Sequence, residues 1–134
     1  MQFTRNERPT VPGPRERFTG TVYVDTTTTP TPPSRLSAAG GHFAPGARTA
    51  WHAHPIDQTV WVTAGIGRCR REGGPIEASR PGDRVYFEPG ENHWHGAAPD
   101  RILTHLAMQE IDGAGSSVSW GWHVTDGEYG QQPG

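Results

Sequence analysis

Apolar and polar positions along this chain alternate with a period of two, and no segment holds a 3.6-residue period apart from weak stretches in the tail. Successive side chains of a strand face opposite sides, so such alternation predicts half-buried strands. The runs FTGTVYVD (Phe18 to Asp25), RLSAAGGHF, TVWVTAG, GRCRRE, DRVYFE, RILTHLAMQEI and VSWGWHVT fit this pattern. Between them lie turn signals: APGA, Gly73-Gly74, Pro89-Gly90 and GAGSS. TTTTPTPPS (Thr26 to Ser34) is too proline-rich for a ladder and predicts an extended loop. Residues 1–17, with three prolines and four arginines, read as an arm that is ordered only if it packs on something, and residues 126–134 as a flexible tail. Short strands at this spacing predict one all-β domain, a sandwich or barrel over roughly residues 18–125, with no helix longer than about two turns.

Composition narrows the chemistry. Only 32% of residues are apolar, with 18 glycines and 13 prolines, which again favours short strands and turns. The net charge is −2, and the only basic cluster is Arg68, Arg70 and Arg71, so neither nucleic acid nor an anionic membrane is an expected partner. All 12 basic residues are arginine, which excludes lysine Schiff-base chemistry. Cys69 is the single cysteine, which excludes an intrachain disulfide and a thiolate zinc cage. MQFTRNERPT lacks the apolar core of a signal peptide, and no stretch is apolar enough to span a bilayer; the expected location is cytoplasmic. Trp61 lies opposite Gln58, Val60 and Val62, and Leu106 and Met108 opposite His105. Apolar side chains on both faces need cover outside the barrel, which predicts a homodimer or homotetramer.

The chemistry-bearing residues fall into three groups. His52 and His54 share a strand face, and Gln58 has the same parity. His93 and His95 follow the Pro89-Gly90 turn on one face of the next strand, and His105 and Gln109 share parity with Leu103 and Ala107. One His-x-His pair on a strand is more often a surface or hydrogen-bonded pair than a ligand pair. Here the chain delivers five histidines and two glutamines that can face one interior, a set suited to a divalent ion.

The spacing strengthens that reading. Gly46, His52, His54, Gln58 and Gly65 fit every interval of the first cupin motif, and Gly82, Gly90 and His93 fit the second. Glu88 and Ala97 depart from it, standing where the family has proline and asparagine. The resemblance covers roughly residues 35–110 and implies a small double-stranded β-barrel of jelly-roll type. In detail, GARTAWHAHP, HWHGAAP and THLAMQE resemble the small bacterial manganese-dependent cupin hydroxynitrile lyases. That resemblance implies a metal held by His52, His54, Gln58 and His93, with His105 as acid/base and His95 and Gln109 in the same pocket. It implies Mn²⁺ first, although Fe²⁺, Co²⁺, Ni²⁺ or Zn²⁺ suit the donors. The implied reaction takes a small-molecule substrate, a cyanohydrin, to a carbonyl compound and HCN. Gln58, where most metal-binding cupins have glutamate, leaves the ion its whole charge and favours Lewis-acid chemistry over O₂ activation. The rival readings are a dioxygenase acting on an enol or diketone and a non-catalytic cupin that binds a small molecule.

Other residues read more plainly. His95 is as well explained by a structural hydrogen bond as by acid/base work. One of His42 and Phe43 must face outward. His123 reads as structural or exposed, and the five tryptophans, Trp51, Trp61, Trp94, Trp120 and Trp122, read as core or interface positions in preference to substrate stacking. The carboxylate pair Asp83 and Glu88 reads as turn chemistry, not a glycosidase pair.

Overall fold

The computed structural model describes residues 1–133 and is built from short antiparallel strands. They are β1 (Val11–Pro12), β2 (Phe18–Thr19), β3 (Val22–Thr28), β4 (Leu36–Phe43), β5 (Arg48–Thr49), β6 (His52–Ala53) and β7 (Gln58–Gly65). There follow β8 (Gly67–Arg71), β9 (Glu77–Ser79), β10 (Arg84–Phe87), β11 (His93–Ala97), β12 (Leu103–Glu110), β13 (Ser119–Trp120) and one helical turn, α1 (Asp126–Tyr129). One sheet runs β1-β3-β4-β12-β7-β10; the other runs β13-β6-β11-β5-β2, with β8 and then β9 on the other edge of β11.

Inward-facing residues of the two sheets meet in clusters that flank the interior. Val22, Phe43, Ala47, Val62, Ala97 and Leu103 form one; Val60, Cys69 and Phe87 form another. The alternation expected from the sequence is visible on β7, where Gln58, Val60 and Val62 are buried and Trp61 is 43% exposed on the outer face. Leu106 and Met108 are half-buried on β12. Asp83 accepts a hydrogen bond from the Arg80 N–H at 2.8 Å, as the turn reading requires.

Two segments differ from the sequence expectation, and the arm meets its condition for order by packing on the barrel. β3 continues through Thr28 instead of ending at Asp25, because β-branched threonines suit a pleated sheet and the first proline comes only at Pro30. The arm pairs with the barrel through Val11 opposite Val24 and Pro12 opposite Tyr23, an edge position that tolerates proline. The last strand shrinks to Ser119–Trp120, and α1 follows it. Thr125 and Glu128 form a reciprocal capping box at the start of α1, whose Tyr129 is buried against Trp94, Ile76 and Val124. Among the described residues, no helix is long and apolar enough to cross a membrane.

Candidate metal centre

The two histidine groups meet by strand register. β11 pairs with β6 so that His93 lies directly opposite His52. The Pro89-Gly90 turn that launches β11 is tied to the first group, since the Gly90 N–H donates to the His54 carbonyl at 2.8 Å. Gly90 has φ +75°, a conformation that glycine adopts without the penalty a side chain would bring. Across the other sheet, Gln58 on β7 lies opposite Gln109 on β12, and Gln109 opposite Ser37 on β4. A register shift leaves Thr63 of β7 without a partner between Thr104 and His105, while β12 stays in unbroken register with β4 and sets His105 opposite Gly41. An added Cβ at Gly41 would stand 2.7 Å from His105 Nε2, so this position must lack a side chain for His105 to lie as it does.

His52, His54, Gln58, His93, His95 and His105 are all buried. His52, His93 and His95 have ligand atoms that lie within 4.8 Å of one another. The His54 ring stands 5.2 Å from His52 and 5.4 Å from His93, centroid to centroid. Phe87 stacks on His93 at 3.5 Å and Trp120 lies over His52 at 4.7 Å, which fixes both ring planes.

Polarity separates these histidines. His52 Nδ1 meets the Ala50 carbonyl at 2.9 Å, His54 Nδ1 the Ser117 carbonyl at 2.6 Å, and His93 Nδ1 the Glu91 carbonyl at 2.8 Å. A carbonyl only accepts, so each Nδ1 carries the proton and each Nε2 is a bare lone pair. Burial pushes all three imidazoles below their ordinary range, His93 to about 3, so they are neutral at pH 7. His95 differs: neither of its ring nitrogens has a partner, while its backbone N–H donates to Thr49 Oγ1 at 3.2 Å.

These donors fit a divalent cation. His93 Nε2 and Gln58 Oε1 lie 3.1 Å apart, and both present lone pairs. Two acceptors that close repel unless a cation draws on both, and donors about 2.1 Å from one ion stand about 3 Å apart at neighbouring positions. Buried His54 Nε2 has no partner within the protein. An outward Nδ1–H on a carbonyl is the usual support of a metal-ligating histidine. His52, His54 and His93 have that support; His95 does not.

The centre borders a cavity of about 160 Å³ whose lining also includes the apolar Phe18, Val22, Val24, Ala39 and Phe43. His105 lines it too, its ring 5.0 Å from His95, and burial pushes its pKa down to about 4, with the charge of His42 adding to the effect.

The comparisons with known proteins agree with this architecture. Residues 41–107 match the model of the cupin domain. The chain is 53% identical over 118 residues, 87% of its length and 88% of the relative's, to an (R)-mandelonitrile lyase from Granulicella tundricola. It also superposes on a cupin-like protein from Thermotoga maritima with a TM-score of 0.84, at 34% identity over 94% of this chain and 95% of that one. The chain belongs to the cupin family. A cupin-2 domain from Rhodospirillum rubrum shares only the fold, at 15% identity and a TM-score of 0.71 over 97% of this chain and 84% of that one.

Within this cupin, all seven site residues named from the sequence meet at one cavity or its edge: His52, His54, Gln58, His93, His95, His105 and Gln109. Trp120, half-buried, lines the cavity and lies over His52. Thr49, Ser37 and Gly41 went unmarked, because only long-range register brings them to the site. His42 faces outward and pairs with Asp25 at 2.7 Å, which leaves Phe43 inside. Cys69 is buried and its thiol pushed up to about 12, which removes it as a nucleophile.

Proposed function

We propose that this cupin is a metal-dependent lyase that cleaves and forms the carbon–carbon bond of cyanohydrins, with an aldehyde or ketone and HCN as the other side of the reaction. The observation that carries this reading is the set of lone pairs on His52, His54, Gln58 and His93, whose protons are turned outward, beside a neutral His105 in a cavity with an apolar wall. The similarity to an (R)-mandelonitrile lyase supports it. His52, His54, Gln58 and His93 would hold the ion, with Mn²⁺ the first choice by resemblance. His95, close enough to join the group, is left free because it lacks the supporting Nδ1–carbonyl bond. When bound, the ion supplies Lewis acidity for negative charge on the substrate oxygen, undiminished by any ligand carboxylate.

The chain's own residues do the rest. His105, neutral at pH 7, accepts the hydroxyl proton as the carbon–carbon bond breaks and its electron pair leaves with cyanide. Burial disfavours the imidazolium so formed, so the proton passes on to cyanide, and HCN departs with His105 neutral again. Val22, Val24, Ala39 and Phe43 take the apolar substituent of the substrate. A cavity of about 160 Å³ is close to the size that holds a single benzene ring. Trp61, exposed beside Leu106 and Met108, supports assembly as a homodimer through the outer sheet face; a monomer by light scattering at micromolar concentration would count against that arrangement.

Metal analysis of the native protein, followed by mandelonitrile cleavage with Mn²⁺, Fe²⁺, Co²⁺, Ni²⁺ and Zn²⁺ in turn, tests the reading. Cleavage with at least one ion and loss on chelation are expected. Protein that is inert to every cyanohydrin in all five forms, yet consumes O₂ with a diketone or flavonol, would make it a dioxygenase.

A further inference from the structure

A line of polar groups crosses the first sheet and ends at the centre. Gln109 Nε2 lies 3.4 Å from the Ser37 carbonyl and 3.3 Å from Ser37 Oγ. That carbonyl can only accept, so Gln109 must turn its NH₂ toward β4 and its Oε1 toward β7. Gln58 Nε2 donates to this Oε1 at 3.0 Å. With its NH₂ thus engaged, Gln58 must turn Oε1 toward His93. The three residues are direct cross-strand neighbours, so strand register maintains the line.

We propose that Gln109 is a positioning residue that, anchored on Ser37, fixes the amide of Gln58 so that its oxygen and not its nitrogen faces the histidines. This rests on the metal-centre reading above. An amide ligand needs such a device because its two ends have nearly the same shape: the oxygen offers lone pairs, whereas the NH₂ would direct protons at a cation. A glutamate in place of Gln58 offers oxygen either way round. Gln109 then acts on the reaction through Gln58 and carries no proton.

The test is a double-mutant cycle on metal affinity, with Mn²⁺ and Zn²⁺ alone titrated calorimetrically into metal-free protein whose fold is checked by circular dichroism. Gln109→Met keeps length and removes the acceptor; affinity should fall about 10- to 100-fold, the loss usual for an outer partner of a ligand. In a Gln58→Glu background the same change should cost less than about threefold, because the orientation problem no longer exists. Gln109→Asn, which keeps both ends of the amide but is one methylene too short to reach Gln58, should lower affinity in the same direction and stands as a second probe if the methionine variant folds poorly. Equal losses in the two backgrounds, or no loss in either, would overturn the inference and leave the metal reading standing. Absence of Mn²⁺ and Zn²⁺ binding by the unaltered protein would overturn both.

Discussion

Two polar clusters of this barrel are built on opposite rules. At the C-terminal end, Arg48 donates to the Val124 carbonyl at 2.9 Å and to Asp126 Oδ1 at 2.8 Å, beneath the ring of Tyr129. Arg68 donates to the Tyr129 carbonyl at 3.0 Å, and the Tyr129 hydroxyl to the Ala97 carbonyl at 2.6 Å. Apart from Arg48 Nε, these groups are matched donor to acceptor. In the cavity the matching stops at the outer edge: protons point outward to carbonyls, while His54 Nε2, both nitrogens of His95 and His105 Nδ1 have no partner. An unmatched buried polar group costs about 1–3 kcal/mol, so a cluster of them is retained for something other than the fold. The clasp's polar groups satisfy one another, whereas those of the cavity are left open toward its interior.

The largest effect expected from a single change in the cavity is at His105. His105→Ala should retain the bound ion and lose cyanohydrin cleavage by roughly 10²- to 10⁴-fold, the usual share of a general acid–base group. Benzaldehyde release from mandelonitrile, measured beside metal content, checks it. Full activity in the variant would return His105 to the status of a wall residue.

Gln58→Glu should come next. The added carboxylate cancels one unit of positive charge where negative charge develops on the substrate oxygen, so cleavage should fall by about one to three orders of magnitude, roughly 1.4–4 kcal/mol, with the ion still bound. A dioxygenase would respond the other way, with O₂ turnover preserved or improved.

The contrast between the clusters also explains what the sequence made legible. His52, His54, Gln58, His93, His95, His105 and Gln109 were readable because strand parity and motif spacing are local signals, and the structure brings them to one cavity or its edge. The partners of those residues were not: Ser117 for His54 and Ser37 for Gln109 depend on how distant strands pair. His42 could not be oriented for a like reason, since its partner Asp25 lies on the neighbouring strand. The clasp left one unused trace, the Thr125-to-Glu128 capping-box pattern, which announces a helix start in a stretch that otherwise reads as strand and tail.

Acid should separate the clusters next. Burial holds His93 at about 3 and His105 at about 4, and also lowers His52, His54 and His95. The unfolded chain takes up these protons near 6.5, so the stability each neutral imidazole contributes is complete above that pH and is lost as pH falls toward the folded value. The slope is about 1.4 kcal/mol per pH unit for each histidine. Metal-free protein should therefore melt progressively lower from pH 7 to pH 5, and ion affinity should fall over the same range as protons compete for the lone pairs. A melting temperature flat across that window would show that the imidazoles are not held neutral by burial.

The smallest effect on activity should come from the clasp. Arg48→Ala removes the donor to the Val124 carbonyl and to Asp126, and the packing beneath Tyr129. Asp126 is exposed and regains water, so the main loss is the unmatched Val124 carbonyl together with the lost packing. A destabilisation of about 1–3 kcal/mol should follow, read as a lower midpoint in urea. Arg48 does not line the cavity, so the fraction that remains folded should bind its ion and turn over substrate as before. An equal loss of activity per folded molecule would mean that the clasp reaches the centre through β11, whose Gly96 lies opposite Arg48 three residues beyond His93. The two clusters would then be one coupled unit, and the division between holding the fold and holding the ligand would not stand.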